Sequence, residues 1–272
     1  MFMSITINHK QIEIPDLKTI SWVENPERIK YITDKDNRTK WLRAIVAHTC
    51  DGKLGKLLPG LGIDSGKAAT LARYQTNTNR QVSWDFTEEM DGTWLIQNDP
   101  LVHYSWQATT VNPITCGFEM IQFENGDMYE EQIKKAVLFV DALTALLGIQ
   151  RQIPWNKVQN KPVLEVIDRI AGVKAGHDVV GLYAHCNQTT NRGKGDCGPW
   201  LFLALKEAGY ELFDFNSEED LKVWKERQKI LGISNPDGLP GPTTIALLKA
   251  SGKKHGMWVK RPIDDLLEEV VK

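Results

Sequence analysis

An α/β fold is what the pattern of the chain predicts, on three observations. Short apolar runs of strand length recur at RAIVAHT, ITCGFEMIQF and GLYAH. A long amphipathic stretch, Tyr129 to Leu147, and a second helical run from Pro199 lie among and after them. From Ser217 to Ala250 the chain reads as two helices joined by a turn, with no strand pattern. Strands interleaved with helices point to a sheet covered by helices, followed here by a small all-α segment.

Taken in order, residues 4 to 14, SITINHKQIEI, alternate apolar and polar and predict a hairpin or edge strand turning at Asn8 and His9. His9 reads as a turn residue. Trp41 to His48 passes from WLR into AIVAH, a continuous apolar run that suits the middle of a sheet and leaves His48 at the strand's C-terminal end. The next loop, DGKLGKLLPGLGIDSG, lacks a GKS or GKT signature and is a poor phosphate loop, better suited to lining a groove. Residues 68 to 80 are weakly helical. VSWDFTEEMDGTWLIQ predicts two strands joined through Asp91 and Gly92. Cys116 to Phe123 predicts a further strand, in which Glu119 stands among apolar neighbours. A carboxylate there is costly unless it is paired or faces a cleft.

The helix Tyr129 to Leu147 places Ile133, Val137, Val140, Leu143 and Leu147 near helical spacing, and Gly148 stops it. From Gln150 to Asp178 the pattern reads as a loop carrying one short helix at Val163 to Ile170. Gly181 to His185 predicts a strand delivering an imidazole, and Pro199 to Ala208 a helix with proline in its first turn. YELFDFN reads as a junction. Ser217 and Asp220 form a capping-box pattern opening a helix with Leu221, Trp224, Gln228 and Leu231, ended by Gly232; PDGLPGPTT turns into a second helix, Thr243 to Ala250. The expected division is therefore 1–212, a helical module at 217–252, and a tail at 253–272.

Composition narrows the function. At 272 residues the chain buries enough apolar surface to need neither metal nor disulfide for bulk stability. A formal net charge of −2 gives no general grip on nucleic acid or anionic membrane, so neither is expected as a partner. The four cysteines, Cys50, Cys116, Cys186 and Cys197, are too sparse for a secreted disulfide framework, and reduced thiols are expected. The N-terminus shows neither a basic-then-apolar leader nor a bilayer-length run.

The densest chemistry lies in GLYAHCNQTTNRGKGDCGPWLF, Gly181 to Phe202, which brings His185, Lys194, Asp196 and Cys197 into one strand, loop and helix start. An imidazole with a carboxylate or thiolate suits zinc, and His48 is the best candidate for a further ligand. In order, IVAHT, NPITCGFE and AHCN with RGKGDCGP resemble three motifs of the zinc-dependent N-acetylmuramoyl-L-alanine amidases of the phage-lysozyme and peptidoglycan-recognition-protein superfamily. The similarity runs from about Arg43 to Leu205. LKVWKERQKILGISNPDGLPGPTTIALLKA likewise resembles the small helical peptidoglycan-binding module that accompanies such enzymes.

That resemblance implies a mixed central sheet flanked by helices, a Zn2+ cofactor, and His48, His185 and Asp196 as ligands, with Cys197 as the alternative third ligand. It implies Glu119 as the group that activates water and protonates the leaving amine, and Lys194 as the group that stabilises the oxyanion. Thr49, Trp106 and Asn112 would face the substrate. The substrate implied is peptidoglycan or a muropeptide, cut between N-acetylmuramic acid and L-alanine. A protein without a leader would then reach the cell wall through phage-type lysis or a dedicated export or injection system. The chain departs from the pattern at Gln107, between Trp106 and Ala108, and at Phe86, where relatives carry histidine and, in some, tyrosine. Two rival readings are a non-catalytic peptidoglycan-recognition protein and a cysteine peptidase using Cys197, although the only histidine after that cysteine is His255.

Overall fold

The computed structural model describes residues 4–23, 42–50, 67–122, 128–167, 180–189, 196–215, 217–238, 243, 244 and 247. The fold is mixed α/β. A hairpin, β1 (Ser4–Ile7) and β2 (Lys10–Glu13), opens the chain. Asn8 and His9 both take the left-handed conformation a two-residue turn demands, and the Asp99 carboxylate accepts hydrogen bonds from their amides at 3.0 and 2.7 Å. His9 is thus the turn residue its position predicts.

Six strands form the central sheet: β3 (Thr19–Ser21), β4 (Ala44–Thr49), β5 (Phe86–Glu88), β6 (Trp94–Ile96), β7 (Thr115–Met120) and β10 (Gly181–Ala184), in spatial order β10-β4-β7-β5-β6-β3. All neighbours are parallel except β5 and β6, the hairpin turned at Asp91 and Gly92. Every residue of β4 is buried, as its unbroken apolar run requires of a strand covered on both faces. The helix α1 (Lys67–Asn77) precedes β5.

Two helices cover one face of the sheet. In α2 (Glu130–Leu147), Ala136, Phe139, Val140, Leu143, Leu146 and Leu147 are buried, and Gly148 closes the helix in the left-handed conformation. α3 (Pro199–Glu207) packs beside it, with Leu201, Phe202 and Leu205 buried. Between them and the sheet lie Ile45, Ala47, Phe86, Trp94, Ile96, Cys116, Phe118 and Met120; the Trp94 ring stacks on Phe139 at 3.7 Å.

The structure corrects the sequence reading in two places. Residues 152–162 are not loop: β8 (Gln152–Asn156) and β9 (Lys161–Pro162) form a hairpin, and Val163 to Ile167 are not helical. Pro154 conceals the strand, because a proline inside a run argues against a ladder position. YELFDFN is not a free junction either: β11 (Glu211–Phe213) pairs with β8 in a second, three-stranded sheet. Gly181 allows β10 to pass β8 closely, since a Cβ there would come within 2.3 Å of the Gln152 carbonyl oxygen.

α4 (Glu218–Ile230) begins at Ser217, whose hydroxyl accepts from the Asp220 amide at 3.3 Å, and Gly232 follows its end in the left-handed conformation. Trp224 is fully buried with Val46, Tyr183, Phe213 and Phe215, on the sheet face opposite α2. Arg227 donates to both carboxyl oxygens of Glu211, and Lys157 pairs with Asp220. Thr243, Thr244 and Leu247 are helical; the rest of the second expected helix, the tail, and the groove-lining loop read at residues 51–66 lie outside the described residues. Among the described residues no helix is long and apolar enough to cross a membrane.

Candidate metal centre

The parallel register of β4 and β7 sets His48 beside Glu119 near the C-terminal ends of both strands. On the other side, β10 pairs Ala184 with Ala47 and then turns into a short 3-10 segment that starts at His185. The two imidazoles consequently meet edge to face, 4.3 Å between centroids. Asp196 arrives just ahead of α3 and is tied down twice: its main-chain carbonyl accepts from the Cys186 amide at 2.7 Å, and its Oδ1 accepts from the Thr49 amide at 3.0 Å. Adjacent strand ends and two backbone hydrogen bonds thus bring together side chains far apart in sequence.

His48, His185 and Asp196 each offer one ligand atom, all within 4.8 Å of one another. His185 Nδ1 lies 3.2 Å from Asp196 Oδ2, and His48 Nδ1 lies 3.9 Å from Asp196 Oδ1. With zinc bonds of about 2.0–2.1 Å, the edge of a tetrahedron is about 3.3–3.4 Å, so these separations straddle the value a zinc ion needs. His185 Nδ1 is buried, with the Asp196 carboxylate as its near neighbour. Two imidazoles and a carboxylate are a donor set that fits zinc. Burial pushes the Asp196 carboxyl up, but His185, His48 and the Thr49 amide outweigh it and hold the group below the usual carboxylate range. It is therefore ionised, as a ligand must be.

Glu119 Oε1 stands 4.0 Å from His48 Nδ1, at the edge of the cluster, and its side chain is 17% exposed. The Asp196 side chain is similarly exposed, at 15%, whereas both histidines are buried. Thr49 is buried and contributes its amide to Asp196. Trp106 is half-buried, 5.9 Å from the Tyr104 ring. Lys194 lies outside the described residues.

Two expectations need correction. Asn112 does not face a substrate surface: it is 3% exposed, and its Oδ1 accepts from the amides of Gln107 and Ala108 at 3.1 and 2.6 Å. Cys197 is outside the cluster, fully buried in the main core beside Leu201 and Phe202. Desolvation, reinforced by the negative Asp196, pushes its thiol well above the usual range. Neither ligation nor nucleophilic attack suits a thiol so placed. Phe86, at the position where some relatives carry tyrosine, packs against Phe139 on the opposite face of the sheet.

Sequence reasoning missed the residues behind His48. Its Nε2 is 3.0 Å from Gln107 Oε1, a buried contact that Gly117 makes possible: a Cβ at that glycine would fall 1.4 Å from the same oxygen. A glycine inside a strand is a signal of close approach, and ITCGFEM carried that signal.

No protein-family model matches this chain, and no curated protein sequence matches it. Among solved structures, it is similar to the N-acetylmuramoyl-L-alanine amidase LysC from Clostridium intestinale URNW, with 16% identity over 50% of this chain and 79% of that one and a TM-score of 0.33. An AmpD structure shares 14% identity over 71% of this chain and 94% of that one, with a TM-score of 0.41. Drosophila peptidoglycan recognition protein SD shares 16% identity over 48% and 77%, with a TM-score of 0.34. These likenesses are remote in sequence and shape, and the functional reading rests on the chain's own residues.

Proposed function

We propose that this protein is a zinc-dependent amidase that hydrolyses the bond between the lactyl group of N-acetylmuramic acid and L-alanine in peptidoglycan. The observation that carries the reading is the cluster of His48, His185 and Asp196 with Glu119 at its rim, built from the three segments that resemble the amidase motifs. Zinc, when bound, supplies Lewis acidity that polarises the scissile carbonyl and eases loss of a proton from water. His48, His185 and Asp196 would hold it. Glu119 takes a proton from the attacking water and returns it to the departing L-alanine amine, which needs a carboxylate open to the cleft and free of ligand duty. Lys194 balances the negative charge that grows on the carbonyl oxygen. Three protein ligands would be the number that a catalytic rather than a structural zinc site uses.

The chemistry is assigned to residues 1–212. The stretch 217–252 is proposed to add affinity for the polymer, working from the exposed side of α4, since Trp224 is taken up by the core shared with Val46 and Tyr183. The cysteine-peptidase reading is disfavoured by the buried, proton-retaining Cys197. A purely binding protein has no use for the Glu119 carboxylate at the rim of the cluster.

Mass spectrometry of digested sacculi tests this. The expected products are stem peptides with a free L-alanine amino terminus and glycan with intact lactyl groups, abolished by a strong chelator and restored by zinc. Glu119→Gln should retain binding to sacculi and lower turnover about 100-fold or more. Sacculi that are bound but uncut by the wild-type protein would establish the recognition reading instead.

A further inference from the structure

The hydrogen-bond chain behind His48 has a fixed polarity. The Thr115 hydroxyl donates to the Val111 carbonyl at 3.0 Å, an acceptor that cannot reverse. With its proton so placed, Thr115 Oγ1 accepts from Gln107 Nε2 at 3.4 Å. The Gln107 carboxamide is thereby oriented with Oε1 toward His48 Nε2, 3.0 Å away. An oxygen without a hydrogen can only accept, so Nε2 must carry the imidazole proton. Nδ1 is left with its lone pair, facing Asp196, Glu119 and His185.

We propose that Gln107 is a positioning residue that holds His48 as the Nε2–H tautomer and so presents Nδ1 to a metal ion. Its setting is built for this. Asn112 Oδ1 clamps the amides of Gln107 and Ala108, and Gly117 provides the space in which the carboxamide lies against β7. Gln107, Asn112 and Thr115 are all buried, so water does not compete for these bonds. The need is specific to this site. Carboxylates of Asp196 and Glu119 stand within 3.9 and 4.0 Å of Nδ1 and attract a proton to it. Once Nδ1 is protonated, His48 is a donor to those carboxylates and no longer a ligand. In the neutral ring, which carries one proton, Gln107 opposes its transfer to Nδ1 by offering an acceptor at Nε2. Groups that orient a metal-binding histidine through its second nitrogen typically change metal affinity 10–100-fold when removed.

The affinity half of the test rests on the zinc reading; the tautomer half does not. In 15N-histidine-labelled, metal-free protein, about two units above the ordinary imidazole pKa of about 6.5, nitrogen shifts should show His48 protonated at Nε2. Gln107→Leu should move the proton toward Nδ1 and weaken zinc binding, by chelator competition, about 10–100-fold. Gln107→Glu keeps an acceptor oxygen and should preserve both properties. Thr115→Val removes the group that orients the carboxamide and should shift both in the same direction by less; it also carries the test if Gln107→Leu does not fold. A metal-free wild type protonated at Nδ1 overturns the proposal. So do Gln107→Leu and Thr115→Val proteins with wild-type tautomer and zinc affinity. A wild type that takes up no zinc yet holds His48 as Nε2–H would fail the proposed function and leave the tautomer inference standing.

Discussion

On the helix side of the central sheet, Ile45, Ala47, Cys116, Phe118 and Met120 are packed among the side chains of α2 and α3, whereas their alternating neighbours in β4 and β7 run from Val46 and Gly117 to His48 and Glu119. Successive residues of one strand face opposite ways, so Glu119 is anchored by Phe118 and Met120 and His48 by Ala47 before it. The stability of the helix side fixes where β4 and β7 lie. The other side can then hold two imidazoles and two carboxylates together at an energetic cost, without supporting the fold.

The largest effect on stability should therefore come from the apolar side. Phe118→Ala leaves a cavity under Trp94 and is expected to cost about 3–5 kcal/mol, with a fall in Tm of about 2–4 °C for each kcal/mol in a domain of this size. His185→Ala, on the other side, should abolish zinc binding while lowering the Tm of metal-free protein by much less. Thermal denaturation of both variants without metal checks the contrast. Equal losses would mean that the site residues support the fold after all.

Glu88 breaks the pattern and sharpens the comparison. Its register with Met120 and Trp94 puts a carboxyl on the apolar side, fully buried. Burial, with Asp91 and Glu89 adding to it, pushes that carboxyl well above the usual range. The folded protein then holds a proton that the unfolded chain releases above about pH 4.3. Stability is lost as pH rises from there toward the folded value. Glu88→Gln has no such proton to hold. Its Tm relative to wild type should rise between about pH 5 and pH 8, by a few degrees; a difference that stays flat with pH would show that Glu88 is not neutral in the fold.

Much of this was legible in the sequence because it is local. The unbroken run before His48 marked β4, the spacing in 129–147 marked α2, and Asn8 and His9 marked a turn. Motif order singled out His48, His185 and Asp196, which the fold brings together. What escaped depends on contacts between distant residues. Gln107 reaches His48 across 59 positions, and Asn112 acts on the backbone of its own loop. Only the folded sheet reveals the first, and an asparagine beside a motif gives no sign of pointing inward. β8 and β11 escaped for a similar reason: Pro154 masks one, and the other becomes a strand only by pairing with it.

The metal content of purified protein bears most directly on the account. Wild type should carry about one zinc per chain, as a three-ligand catalytic site requires, and Asp196→Ala, folded as judged by its melting transition, should carry none. Zinc retained by folded Asp196→Ala, or absent from wild-type protein supplied with it, would contradict the assignment of this cluster as the centre of the molecule's chemistry.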